Sequence, residues 1–371
     1  MLEPLSAGIV SAFLFATTKA VEKAKDDDED DRPSNAKKFV AIGIVIVLIV
    51  AFVGVALYWP KSNPSDVKVT IYGYSIMGEV MDGKILPAFK AYWKEKTGQN
   101  VSFQTSWAGS GAVTNQVVAG APVQAMIVST EWDAMTLRSK GLVTTDWNTF
   151  PHNGTVSLTP FIIMTRHGNP KNITDFDDLA TKNIKMVHPD PLTSGGACWS
   201  IFAMYGSELR RTNGTEGKPN TTEADALVTK VVKNIIAYQS SARNSLSQFE
   251  LGYGDALITY ESDALLENKK TSNFTLVYPK STIMSENKIV MVDKNMDAKQ
   301  KKVVRALIDF IYTTQMQAYF IQYGFRAMDP SLNVGHSEFG TIQDPFYVSY
   351  LGGWQKAHAD LIDGVFTKAK K

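Results

Sequence analysis

Residues 185–206, KMVHPDPLTSGGACWSIFAMYG, carry the clearest indication of the fold of this chain. This stretch begins as an apolar strand, passes through a polar turn, and continues as a helix that Thr193 or Ser194 can cap. A strand, a short turn and a helix in this order are the repeating unit of an α/β protein. The buried face of the helix is expected to contain Trp199, Phe202 and Ala203.

The same order recurs on both sides of this stretch. Further predicted strands lie at residues 67–72, 101–107, 160–166, 256–260 and 288–292. Further predicted helices lie at residues 78–97, 225–237 and 298–322, and one more opens at the turn 108–111. This alternation from residue 66 onward predicts an α/β fold.

Length and composition exclude several classes of function. A chain of 371 residues suggests two domains. Its 38 basic and 37 acidic residues give a net charge of +1, which provides no broad basic surface for nucleic acid. The single cysteine, Cys198, excludes an internal disulfide and any site with several cysteine ligands. We expect no cofactor and no nucleic-acid partner.

The N-terminal part predicts a membrane anchor. Residues 39–58, FVAIGIVIVLIVAFVGVALY, contain no charge and are long enough to span a bilayer as a helix. Arg32, Lys37 and Lys38 precede the span, whereas Lys61 and Lys68 follow it. By the positive-inside rule this modest bias places residues 1–38 in the cytoplasm and the C-terminal region outside the cell.

Glycosylation signals are consistent with that orientation. Six Asn-X-Ser/Thr triplets occur, all after the span, although such triplets also arise by chance. They begin at Asn100, Asn153, Asn172, Asn213, Asn220 and Asn273. We therefore expect a glycosylated extracellular domain joined to the span by a linker at residues 59–65.

Two glycine-rich turns suggest an anion site. Residues 108–111 (AGSG) and 193–196 (TSGG) each stand where a strand ends and a helix begins. The first N–H groups of a helix lack internal acceptors and carry the positive end of the helix dipole, so such a turn can bind an anion. Many Ser-Gly turns only cap helices, so either turn alone is a weak signal.

An enzyme is disfavoured by the residues themselves. Cys198 at a helix start could act as a thiolate nucleophile, but a small buried residue explains it more simply. None of the five histidines forms a metal-spaced pair with another, and no Gly-X-Ser-X-Gly elbow is present. We predict a protein that is not an enzyme.

The outer region resembles the sulfate- and thiosulfate-binding proteins, the extracytoplasmic receptors of bacterial ABC importers. The segment TSGGACW (193–199) is similar to the TSGGARW of that family, and WAGSG (107–111) is similar to its GGSG turn. Further similar segments follow in order: HGNPKNITDFDDL (167–179), GYGDALITYESDA (252–264), VMVDKNMD (290–297) and YGFRAMDPSLN (323–333).

This resemblance implies a type II periplasmic-binding-protein-like architecture of two α/β lobes that enclose one oxyanion. We expect lobe 1 to contain residues 66–158 and 285–371, and lobe 2 to contain residues 159–284. The resemblance also implies delivery of the anion to an ABC permease and its ATPase. The ligand-facing residues would be Ser75, Ser110, Ser194, Gly195, Gly196, Ala242 and Tyr260.

The identity of the anion is less well determined. The family has an indole donor where this chain has Tyr260, and a phenol can accept as well as donate. Sulfate needs donors only, whereas hydrogen phosphate also needs an acceptor.

Asp190, Asp255 and Glu261 lie near the motifs, and we expect all three to be structural. Arg243 could steer the anion inward or lie at the surface. Phosphate, molybdate or tungstate binding, a sensor role and a structural surface protein are the alternatives.

Overall fold

The computed structural model describes residues 66–181, 183–212 and 220–370. The predicted cytoplasmic segment 1–38, membrane span 39–58 and linker 59–65 lie outside these residues, as does Asn213. Among the described residues, no helix combines the length and the apolar character needed to cross a bilayer. Asn100, Asn153, Asn172 and Asn273 are exposed, whereas Asn220 is half-buried and caps a helix.

The strands form a mixed sheet. They are β1 (Val67–Tyr74), β2 (Val101–Ala108), β3 (Ala125–Val128), β4 (Thr155–Arg166), β5 (Met186–Pro189), β6 (Ile235–Gln239), β7 (Ala256–Tyr260), β8 (Phe274–Val277), β9 (Ser281–Met291) and β10 (Asp344–Phe346). The order across the sheet is β2-β1-β3-β9-β4-β7-β5-β6, with β10 beside β9 and β8 beside β4. Strands β1, β2 and β3 are parallel, as are β5, β6 and β7.

Two long strands join the half of the sheet that contains β1, β2 and β3 to the half that contains β5, β6 and β7. Residues 288–291 of β9 pair antiparallel with β3, and β9 also pairs with the first half of β4. The second half of β4, residues 161–165, pairs with β7. Both strands are almost wholly buried, as expected for strands covered on two faces. The chain therefore crosses between the halves through β4 and β9.

Helices cover both faces of the sheet. They are α1 (Gly78–Val80), α2 (Leu86–Thr97), α3 (Ser110–Val118), α4 (Glu131–Ser139), α5 (Asp178–Thr181), α6 (Gly195–Arg211), α7 (Thr221–Lys233), α8 (Ala242–Glu250), α9 (Glu261–Thr271), α10 (Ala298–Ile311), α11 (Thr314–Gln322), α12 (Trp354–Ala357) and α13 (Thr367–Lys370). A π-helical segment, Met81–Ile85, joins α1 to α2, and another, His358–Phe366, joins α12 to α13.

Helix α6 is buried on every side from Gly195 to Leu209. We predicted one buried face, and the difference arises because α6 packs against β9, α7 and the C-terminal helical segment. Trp199 donates from Nε1 to the carbonyl of Ser129 at 2.9 Å, which fixes α6 against the end of β3.

Two helix predictions were wrong in part. Helix α7 ends at Lys233, and residues 235–239 form β6, because this segment pairs in parallel with β5. The predicted helix 298–322 is two helices, α10 and α11. The buried Gln317 amide donates to the carbonyl oxygens of Ile311 and Val156, so the turn between them is held by tertiary contacts.

The C-terminal helices also bear on the predicted lobes. α13 and the preceding π-helical segment pack against α7, which lies in predicted lobe 2, although residues 285–371 were assigned to lobe 1. The division at residues 158/159 and 284/285 stays a prediction.

Candidate functional site

A small cavity lies between the two halves of the sheet. The structure brings all seven predicted site residues to its wall: Ser75, Ser110, Ser194, Gly195, Gly196, Ala242 and Tyr260. The wall also contains Ala108 and Gly109 of the predicted turn 108–111, together with Tyr74 and Ser129, which the sequence analysis did not single out. None of these side chains carries a charge at neutral pH, so the cavity offers dipoles and hydroxyl groups only. Ligand contact by the seven residues stays a prediction.

Three helices point their N-termini at this cavity. Helix α3 begins at Ser110, α6 at Gly195 and α8 at Ala242. A 3₁₀ turn, Ser75–Met77, begins directly after β1 and adds a fourth N-terminus at the cavity. The first N–H groups of each helix lack acceptors within the helix, and the dipoles place partial positive charge at the same point. This convergence favours an anion.

The glycines of α6 allow the two halves to approach closely. A Cβ on Gly195 would lie 2.6 Å from Ser129 Oγ. A Cβ on Gly196 would lie 3.0 Å from Tyr260 Cε2. A side chain at either position would therefore displace one of the hydroxyl-bearing residues that line the cavity.

The two predicted serine hydroxyls have different surroundings. Ser194 is buried and makes no side-chain hydrogen bond to its own helix, which leaves its hydroxyl for the cavity. Ser110 Oγ donates to Asp133 at 2.7 Å and accepts from the Ser129 N–H at 2.9 Å. The proton of the Ser110 hydroxyl is therefore already engaged, and its backbone N–H is the group left for a ligand.

Asp133 was not anticipated from the sequence. It is buried behind Ser110, and Thr130 Oγ1 also donates to it at 2.6 Å. Burial raises the pKa of Asp133, while the hydrogen bond from Ser110 lowers it. Asp133 lies in the first turn of α4, where an acidic residue is common, so its sequence position carried no signal of this role.

Tyr260 is paired with a hydroxyl from the other half of the sheet. Its phenolic oxygen lies 2.6 Å from Ser129 Oγ, and either group can be the donor. Burial raises the pKa of Tyr260, so the phenol keeps its proton. The neighbouring Tyr74 hydroxyl is buried without a hydrogen-bond partner of suitable geometry.

The carboxylates near the motifs do not line the cavity, and each has a partner elsewhere. Glu261 receives two hydrogen bonds from Arg326, at 2.7 and 2.8 Å. Asp255 accepts from the Lys185 N–H at 2.8 Å, and Asp190 accepts from a backbone N–H of its own turn at 3.0 Å. No carboxylate is therefore part of the wall described above.

Arg243 does not line the cavity. Its guanidinium lies 2.9 Å from the buried carboxylate of Asp263 and 3.5 Å from Glu79. Burial raises the pKa of Asp263 to about 6, and Arg243 opposes that effect. The charge of Arg243 is thus largely balanced within the protein, which leaves little of it for steering an anion.

Neither Cys198 nor His188 has the surroundings of a catalytic residue. Cys198 is buried, and burial raises the pKa of its thiol well above the ordinary range. His188 lies 2.5 Å from Ser200 Oγ and 2.6 Å from the carbonyl of Pro189, and burial lowers its pKa to about 4. Within the described ranges, no group of three or more His, Cys, Asp or Glu residues could hold a metal ion.

Known proteins resemble the chain over most of its length. The family model described as bacterial extracellular solute-binding protein matches residues 69–326. The sulfate-binding protein of Synechococcus elongatus is 32% identical over 314 residues, which cover 82% of this chain and 87% of that protein. The thiosulfate-binding protein of Escherichia coli is 29% identical over 253 residues, 66% of this chain and 73% of that protein.

Solved structures agree with the fold. The sulfate-binding protein SubI of Mycobacterium tuberculosis superimposes with a TM-score of 0.71 at 28% identity, and the match covers 80% of this chain and 99% of that one. A periplasmic thiamin-binding protein matches with a TM-score of 0.63 at 11% identity, which supports the fold alone. The predicted two-lobe α/β architecture and the predicted family are confirmed: this chain belongs to the bacterial extracellular solute-binding proteins.

Proposed function

We propose that this protein is an extracytoplasmic receptor that captures sulfate, or thiosulfate, between its lobes and delivers it to an ABC permease and its ATPase. Relatives across most of the chain are sulfate- and thiosulfate-binding proteins. The observation that carries the proposal is the convergence of three helix N-termini on a cavity with an uncharged wall.

The donor set suits a tetrahedral dianion. Backbone N–H groups of Ser75, Ser110, Gly195, Gly196 and Ala242 would bind the anion, with hydroxyl groups from Ser194 and Tyr260. A fully deprotonated anion accepts hydrogen bonds at every oxygen, so neutral donors alone can satisfy it. Because no fixed cation holds it, opening of the cleft would release it to the permease.

The long strands β4 and β9 would act as the hinge. They join the two halves, and the wall of the cavity takes residues from both. In the present structure the Ala112 N–H donates to the Thr193 carbonyl at 3.1 Å, a contact between the halves that supports a closed state. Closure excludes water, which strengthens each hydrogen bond to the anion.

The predicted span at residues 39–58 would tether this receptor to the outer face of the cell membrane, with the predicted glycans on the extracellular part. No described residue belongs to the span, so tethering rests on the sequence alone.

The test is calorimetric titration of the detergent-purified full chain with sulfate, thiosulfate, phosphate and molybdate. We expect sulfate or thiosulfate to bind in the micromolar range or tighter. If none of the four anions binds, the proposal is refuted. A much higher affinity for molybdate than for sulfate would assign the site to a larger oxyanion.

A further inference from the structure

The hydroxyl pair of Ser129 and Tyr260 spans the cavity. Ser129 follows β3 in one half of the sheet, and Tyr260 ends β7 in the other. The two oxygens are 2.6 Å apart, and both residues line the cavity. Ser129 lies over Gly195 and Tyr260 over Gly196, at the N-terminus of α6 where the anion is proposed to bind.

The protons of this pair can be arranged in two ways. Each hydroxyl has one proton and can also accept, and one of the two protons is used between them. If Ser129 donates to Tyr260, the phenolic proton is free for the cavity and Ser129 keeps an acceptor lone pair. If Tyr260 donates, the roles are exchanged. The pair therefore offers one donor and one acceptor at the same time.

Two of the other hydroxyls of the wall, those of Ser110 and Ser194, lack this arrangement. Ser110 donates its hydroxyl hydrogen bond to Asp133 and accepts one from the Ser129 N–H. Ser194 makes no hydrogen bond with its helix, so if it accepted from an anion its own proton would have no partner there. Backbone N–H groups only donate. A proton carried by the anion therefore finds an acceptor in the hydroxyl pair of Ser129 and Tyr260.

We propose that Ser129 and Tyr260 determine how well the site accepts a singly protonated tetrahedral dianion, and that hydrogen phosphate and hydrogen arsenate compete with sulfate here. The inference rests on the proposed function and concerns its selectivity. With an indole in place of Tyr260, the position could only donate, and the acceptor on the phenol would be lost.

Four anions separate protonation from size. Near pH 8, sulfate and selenate are fully deprotonated, whereas phosphate and arsenate are mainly singly protonated dianions. Selenate and arsenate are the larger member of each pair. Competition calorimetry of the full chain with all four anions therefore distinguishes an effect of the proton from an effect of radius.

Ser129→Ala and Tyr260→Trp are the test variants. We expect each to lower the affinity for phosphate and arsenate by about tenfold relative to sulfate and selenate, because each removes one of the two hydroxyls that can accept the proton of the anion. Ser194→Ala is the matched control. It removes a single hydroxyl from the same wall and should lower the affinities for all four anions by a similar factor.

The outcomes distinguish this inference from the proposed function. If sulfate binds but the ratio of phosphate to sulfate affinity is the same in wild type, Ser129→Ala and Tyr260→Trp, the inference is overturned and the receptor function stands. The inference is also overturned if the two variants change the affinities for selenate and arsenate together, because the effect would then depend on the radius of the anion and not on its proton. If no tetrahedral anion binds the wild-type chain, both fail.

Discussion

The backbone of Gly109 packs directly against the carbonyl oxygen of Thr193, so closely that a Cβ on Gly109 would lie 2.3 Å from that oxygen. The same Cβ would lie 2.4 Å from the carbonyl oxygen of Ser240. Gly109 follows β2 in one half of the sheet. The carbonyls of Thr193 and Ser240 follow β5 and β6 in the other half. The absence of a side chain at residue 109 is therefore a condition for closing the cleft.

Gly109→Ala should impair anion binding without unfolding the protein. The φ of Gly109 is −59°, which alanine adopts freely, so the clash acts only in the closed state. We expect sulfate affinity to fall by about 10- to 100-fold, since overpacking typically costs about 1–3 kcal/mol. Calorimetry measures the affinity, and the melting temperature without ligand should change little.

The matched control is Gly364→Ala in the C-terminal helical segment, where an added Cβ meets only the Ala359 oxygen, at 3.3 Å. Its sulfate affinity should equal that of the wild type. Wild-type affinity in Gly109→Ala would show that this contact is not needed for closure.

Ser194→Asp should abolish sulfate binding. It places a carboxylate at the N-cap of α6, against the dianion in a site from which water is excluded. We expect a loss of at least about 100-fold, since an uncompensated buried charge costs about 3–5 kcal/mol. Thr221→Asp at the exposed start of α7 adds the same charge to another helix and should keep full affinity. Unchanged binding in Ser194→Asp would place the anion elsewhere.

Asp263→Asn should alter how stability depends on pH. Burial raises the pKa of Asp263 from 3.8 to about 6, with Arg243, Glu79, Lys270 and Glu267 around it. The folded state therefore holds this proton more tightly than the unfolded state. As the pH rises from about 4 to above 6, ionisation of Asp263 destabilises the fold, in total by roughly 3 kcal/mol.

Denaturant unfolding between pH 4.5 and pH 7.5 measures this effect. The free energy of unfolding of Asp263→Asn, taken relative to the wild type, should increase as the pH rises through this window. Parallel pH profiles for the two proteins would mean that Asp263 is already ionised at the lower pH, with its charge balanced by Arg243.

Cys198 should not react with thiol reagents while the protein is folded. It is buried, and its raised pKa leaves almost no thiolate at pH 8. We expect no labelling by an aromatic disulfide reagent in native buffer and labelling of one thiol in denaturant. Ser139→Cys, at an exposed position, supplies the control for reagent access. Rapid native labelling of the wild type would reopen a nucleophilic role for Cys198.

Deletion of residues 39–58 should release the protein from the membrane. The full chain is expected in the membrane fraction of expressing cells and the deletion variant in the soluble fraction, with unchanged sulfate affinity. Deletion of residues 26–31, the acidic run, leaves the apolar segment intact and should keep the protein in the membrane fraction. Equal distribution of the two deletion variants would argue against an anchor at 39–58.

The features that depend only on neighbouring residues could be predicted from the sequence. Glycine and serine at 193–196 mark a strand that ends and a helix that begins, because capping and close backbone approach are local requirements. The same local pattern at 108–111 marks the helix that starts at Ser110. Strand β6 was missed, since Ile235 and its neighbours become a strand only by pairing with β5.

Only the tertiary structure decided which side chains meet across the cleft. Ser129 and Tyr260 are 131 residues apart, and their contact exists because β3 and β7 end on opposite sides of one cavity. In the same way, Asp133 accepts a hydrogen bond from Ser110, and Asp263 forms an ion pair with Arg243. Hydrogen bonds and ion pairs depend on distance in space, which spacing along the chain does not encode until the sheet has set the strand order.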